Sequence, residues 1–142
     1  FALFPTRFHA QAEHVTLENV ETQPDWEIGE NVTITHIAKA QWAKTLTSWD
    51  DVQQLSDYHI YNEKTLHDRF HWEGKGMPTG SIHLAFVRIY ELPTPLSFPY
   101  SKAHAGCRSW IDIPEHSTED IRPVIDEQAF SKINSVLSEL AT

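Results

Sequence analysis

The chain holds 142 residues, with 20 Asp and Glu against 11 Lys and Arg, for a formal net charge of −9. That acidic excess excludes a general binder of nucleic-acid backbones, which works through clustered cations that displace condensed counterions. Hydrophobic residues at 40% and aromatics at 11% exclude a charge-rich disordered chain, and a chain of this size buries about 68–70% of its unfolded surface, enough for one core without a staple.

The run Phe1-Ala2-Leu3-Phe4 reads as the end of a buried strand stopped by Pro5. Thr6 is then placed to cap a short helix in which Phe8, Ala12 and Val15 share a face. Val32 to Ile37 alternates β-branched and polar residues, a strand signal. Ser48 with Asp51 three residues on is an acidic capping box, and it predicts a helix over 49–56. Asn62 is a second N-cap, predicting a helix over 63–70 with Leu66 and Phe70 one turn apart.

Gly74 to Gly80 is turn chemistry, with glycine spacing that matches no phosphate-cradling loop. Beyond it, Ile82 to Leu92 is the strongest strand pattern in the chain. Its two faces are both largely apolar, so a central strand covered on both sides is expected. Prolines at 93, 95 and 99 force an extended crossing, and Cys107 to Ile113 supplies another strand. Asp126 caps a last helix carrying Phe130, Ile133, Leu137 and Leu140 at helical spacing. Strands and short helices in this mixed order predict an α+β fold: a mixed, largely antiparallel sheet with three to four short helices, in a single globular domain over residues 1–142.

The lone cysteine, Cys107, forms no internal disulfide, and neither an apolar run of about 18 residues nor a secretory leader is present. A soluble, cytoplasmic protein with no membrane partner is the expectation. Residues 1–31 carry six acids against Arg7, and residues 111–142 carry seven against Arg122 and Lys132. The middle, 32–110, holds eight bases, seven acids and six of the nine histidines, so an anionic ligand belongs there if anywhere.

Four segments occur together in order: Phe1 to Gln11, His59-Ile60-Tyr61 leading to Arg69-Phe70, Val87 to Leu92, and Gly106-Cys107-Arg108-Ser109-Trp110. In that combination the chain resembles a bacterial family, domain of unknown function 1802. The resemblance implies a strand and a glycine-bearing turn before the Phe-Pro-Thr region, which this sequence does not show, so the fold is expected to lack that upstream strand. It implies no reaction and no cofactor.

Arg88 falls among Leu84, Phe86 and Tyr90 on one strand face, where an unpaired guanidinium would cost several kcal/mol. It therefore needs a partner. Candidates are Glu91, Asp68, Glu63 or a ligand oxygen held in bidentate geometry. With Arg69, Tyr90, His9 and Ser109 it forms the candidate ligand-binding set, for a small anionic or nucleotide-like molecule. Whether the domain is an enzyme stays open at this level.

Glu63, His67 and His71 lie one helical turn apart, an alternative metal set for a divalent-metal-dependent hydrolase, although no His-Glu-x-x-His pattern is present. Cys107 with His104 and Ser109 lacks a nucleophile elbow, and burial as packing is the simpler reading. The five tryptophans read as core or interface in the absence of a basic groove. A third reading makes the domain an interaction scaffold that self-associates or pairs with another segment through the edge near Phe1.

Overall fold

The computed structural model describes residues 1–7, 10–74, 79–106 and 109–140. Two long strands, β1 (Asn31–Leu46) and β2 (Ile82–Pro99), pair antiparallel, and the short β3 (Arg122–Pro123) joins the outer side of β2. Four helices accompany the sheet: α1 (Gln11–His14), α2 (Trp49–Gln53), α3 (Glu63–Phe70) and α4 (Glu127–Leu140). The architecture is α+β with an antiparallel sheet.

β1 runs well beyond the predicted 32–37 because two irregularities break its alternation. The register with β2 shifts between Ile34 and His36 and again between Ala40 and Trp42. Each shift inserts an extra residue, Thr35 and then Gln41, so Val32, Ile34, Ile37, Lys39, Trp42, Lys44 and Leu46 share one face, on which Lys39 is exposed. β2 answers the first shift with a larger excursion. His36 pairs with Glu91 and Ile34 with Leu96, which leaves Leu92 to Pro95 outside the ladder. Pro93 and Pro95 are thus tolerated in a strand because their missing N–H groups are not called on.

The apolar residues of this face collect into two clusters. The first joins Val32, Ile34, Ile37, Leu92 and Phe98, with Ala2, Phe4, Trp26 and Tyr100 packed against it. The second joins Leu46, Val52, Leu55, Phe70 and Leu137, and brings α2, α3 and α4 onto Trp42, Leu84 and Phe86. The opposite face is partly open. His83, Ala85 and Glu91 are exposed there, so the expectation that β2 is covered on both sides is corrected: the helices pack on one side only.

Local signals explain most helix boundaries. Ser48 Oγ accepts from the Asp51 N–H at 3.4 Å, and α2 ends at Gln53 before a separate 3₁₀ turn, Ser56–Tyr58. Asn62 Oδ1 accepts from the Thr65 N–H at 2.9 Å, and Asp126 Oδ1 from the Ala129 N–H at 2.8 Å. The first helix differs from expectation. It has Ala10 rather than Thr6 at its N-cap, while the Thr6 hydroxyl accepts from the Gln11 amide at 3.2 Å.

Residues 1–3 form a short pairing on the edge of β1 rather than a buried strand. The Leu3 N–H donates to the His36 carbonyl at 3.0 Å, and the Ala38 N–H to the Phe1 carbonyl at 2.7 Å. Phe1 and Leu3 stay exposed while Ala2 and Phe4 turn toward the first cluster. The strand expected over 107–113 is not formed across 109–113, and Cys107 and Arg108 lie outside the described residues. The outer edge of β2 is taken by β3 at Tyr90 and Glu91 instead. Trp110 is left 72% exposed, edge-on to Phe1 with ring centres 5.3 Å apart.

Part of the Gly74 to Gly80 turn, 75–78, falls outside the described residues. Gly80 closes that turn at φ 77°, which favours glycine, and its N–H reaches the Phe70 carbonyl at 2.8 Å. Among the described residues no helix is long and apolar enough to cross a membrane.

Candidate functional site

Arg88 has the partner its burial demands, and that partner comes from a distant part of the chain. Its side chain is 13% exposed, and Nη1 lies 2.7 Å from Glu127 Oε2, in the first turn of α4. The guanidinium carbon sits 4.3 Å from the centre of the Phe130 ring and 5.7 Å from that of Tyr90. Nε is buried with no hydrogen-bond partner among the described residues. The three carboxylates considered for this role are placed elsewhere. Glu91 extends from the opposite strand face, Asp68 pairs with Lys64 at 2.7 Å, and Glu63 accepts from the Gln53 amide at 3.1 Å.

Of the residues grouped with Arg88 by sequence, Tyr90 lies against its guanidinium. Arg69 is exposed in the last turn of α3, and Ser109 is exposed between Gly106 and Trp110. His9 lies outside the described residues. Neither of the two clefts described below is lined by Arg88, Arg69, Tyr90 or Ser109.

The α3 set divides. His67 and His71 come together with ring centres 4.3 Å apart, and Trp49 lies T-shaped to His67 with ring centres 5.3 Å apart. Glu63 does not join them. Among the described residues no group of three or more His, Cys, Asp or Glu is placed to hold a metal ion.

A further site lies among residues outside the sequence-predicted set. Arg7 lies over Trp26, its guanidinium carbon 3.4 Å from the ring centre. Its two terminal nitrogens donate to Glu30 Oε2 and Oε1 at 3.1 and 2.8 Å, a bidentate pair. Trp26 is fixed in turn. Its indole N–H donates to the Pro5 carbonyl at 2.9 Å, and the ring stacks with Tyr100 at 6.0 Å between centres. The turn before Glu30 is closed by Gly29 at φ 89° and by the Glu27 N–H donating to Glu30 Oε2 at 3.1 Å. Arg7, and then that backbone N–H, hold the Glu30 carboxyl below its usual range.

Beside this stack opens a cleft of about 360 Å³, lined among others by Thr6, Arg7, Glu21, Gln23, Trp26 and Asn31. The side-chain amides of Gln23 and Asn31 make no hydrogen bond to the described residues. The cation at the cleft is already neutralised by Glu30, and Glu21 adds a negative charge. A second cleft, of about 350 Å³, lies between residues 93–96 and a loop carrying Glu115, Glu119 and Asp120, and it too is acidic. The sequence did hold a signal for the first cleft. Arg7 is the lone base among six acids in residues 1–31, and such a residue is expected to be held by one of them.

The family model described as domain of unknown function (DUF1802) matches residues 1–136, and the chain belongs to that family. No curated protein and no solved structure matches the chain.

Proposed function

We propose that this member of the DUF1802 family is a small ligand-binding domain whose cleft beside Arg7 and Trp26 takes a polar molecule without net negative charge. The observation that carries the reading is the Arg7–Glu30 pair. A guanidinium bound at both terminal nitrogens by a carboxylate has no strong attraction left for an anion, and Glu21 repels one. What the cleft offers is amide and hydroxyl groups from Gln23, Asn31 and Thr6. Such groups fix an uncharged ligand by hydrogen bonds, and an unmatched one rejects the wrong ligand. Trp26 is already engaged by Arg7 over its ring and by Tyr100 stacked beside it, so the ring serves as a wall of the cleft.

A second reading keeps an anionic or nucleotide-like ligand at Arg88, with Tyr90 beside it and Arg69, His9 and Ser109 as the wider set. It is favoured by the unsatisfied Nε of Arg88 and by the 73% exposure of Glu127, a carboxylate that a phosphate could replace.

Side-chain and backbone amide resonances read during addition of N-acetylglucosamine, glucose and, separately, inorganic phosphate distinguish the two. The cleft reading expects a neutral sugar to shift Gln23, Asn31 and the Trp26 indole, with the response removed in Asn31→Ala. Phosphate shifts centred on Arg88 and Tyr90 overturn it in favour of the second reading. Silence toward all three probes at about 10 mM, a Kd far weaker than small-molecule sites show, overturns it outright.

A further inference from the structure

We propose that His67 and His71 form a two-imidazole site for a divalent transition ion of the Ni²⁺ or Cu²⁺ type at the C-terminal turn of α3. The site is separate from the cleft at Arg7, and its test does not depend on that reading.

Three observations converge on the pair. The first is spacing. His67 lies in the last turn of α3, and His71, the C-cap, still donates its N–H to the His67 carbonyl at 3.0 Å, so the helix brings both rings to one side. An ion about 2.0–2.1 Å from one nitrogen of each ring would lie about 3.2 Å from each ring centre, if ring and ion are collinear. Ring centres 4.3 Å apart then subtend about 85° at the ion. That is close to the right angle between neighbouring ligands in square-planar or octahedral coordination, and well short of the tetrahedral angle.

The second observation is that the rings are held in place but uncommitted. Trp49 is edge-on to His67 at 5.3 Å and lies 6.4 Å from His71, and Phe70 packs 5.1 Å from His71. Neither imidazole hydrogen-bonds a described residue, and both are exposed. Much of the side-chain ordering needed for chelation is therefore already in place before an ion arrives.

The third is electrostatic. The last turn of a helix carries the negative end of its dipole, which favours a cation there. Two neutral nitrogens and no free carboxylate select against Ca²⁺ and Mg²⁺, which require oxygen ligands. They favour the nitrogen-binding end of the first-row series. With Glu63 engaged by Gln53, the remaining coordination positions fall to water.

Calorimetric titration of untagged protein with NiCl₂, alongside thermal melts, tests the site. Wild type is expected to bind one equivalent and to melt higher with Ni²⁺. His67→Ala and His71→Ala should each lower the affinity by about tenfold or more, because one imidazole alone cannot chelate. His83→Ala, an exposed histidine on the open sheet face, should leave affinity unchanged. Wild-type affinity in either helix variant, or no binding at about 1 mM Ni²⁺, overturns the proposal. Circular dichroism of each variant confirms that lost affinity is not lost folding.

Discussion

Lys39 and Arg88 stand directly opposite each other across the β1–β2 ladder, an exposed cation paired with a mostly buried one. Like charges so placed repel. Three neighbours offset the repulsion. Lys39 Nζ lies 5.0 Å from the centre of the Tyr90 ring, Arg88 is over Phe130, and Glu127 supplies the missing negative charge.

Glu127→Gln should therefore destabilise the fold. It leaves a mostly buried guanidinium facing Lys39 without an anion. Because Glu127 is itself 73% exposed, solvent screens the pair, and the loss should be about 1–2 kcal/mol rather than the 3–5 of a fully buried one. Arg88→Met removes the repulsion together with the pair and should stay within about 1 kcal/mol of wild type. Urea unfolding measures both. A larger loss for Arg88→Met than for Glu127→Gln would show that the guanidinium matters more for what it bonds than for the charge it imposes.

Acid should loosen the Arg7 end of the molecule. The folded-state pKa of Glu30 lies below its ordinary value of 4.5, chiefly through Arg7. Its contribution is thus fully present above the unfolded pKa and is lost as the pH falls through the lower folded one. Melting temperature followed from about pH 5 to pH 3 should fall more steeply for wild type than for Glu30→Gln. Parallel curves would mean that the pair contributes nothing to folding.

Asn62 has two separable tasks. Its Oδ1 caps α3, and its amide nitrogen donates to the Glu13 carbonyl at 2.6 Å, tying α1 to α3. Asn62→Ala should cost about 1–2 kcal/mol, whereas Asn62→Asp keeps the cap and should cost less. Amide exchange at Thr16, bonded to the Ile60 carbonyl, should quicken in both variants, because both lose the tie. Unchanged exchange in Asn62→Asp would place the docking of α1 elsewhere.

The two apolar clusters should respond separately. Ile34→Ala and Leu137→Ala should each cost about 2–5 kcal/mol through the cavity they leave. Lacking shared partners, their effects should add to within about 0.5 kcal/mol in the double variant, as read from denaturant unfolding. A marked departure from additivity would show the clusters to be one core.

Features specified by neighbours in the chain were legible in the sequence. Asn62 and Asp126 announce their helices because a cap and its N–H lie three residues apart. The full length of β1 was not legible, since the insertions at Thr35 and Gln41 exist only in register with a partner strand. The demand of Arg88 for a counter-charge followed from its greasy neighbours. That Glu127 meets it depends on how α4 docks, which no local pattern encodes. The Arg7–Trp26–Glu30 stack was not legible from charge distribution alone, because the cations concentrate in the middle of the chain while Arg7 stands alone among acids.

The two ends of the long strand pair are clad in different materials. One is roofed by helices, whose backbone groups satisfy each other, and the other by Phe4, Trp26, Tyr100 and Ile113 on irregular segments. Irregular cladding re-forms more readily and tolerates insertion better than helical cladding. The end that carries the Arg7 cleft is thus the one expected to open first and to accept insertions, while the helical end keeps the ribbon anchored.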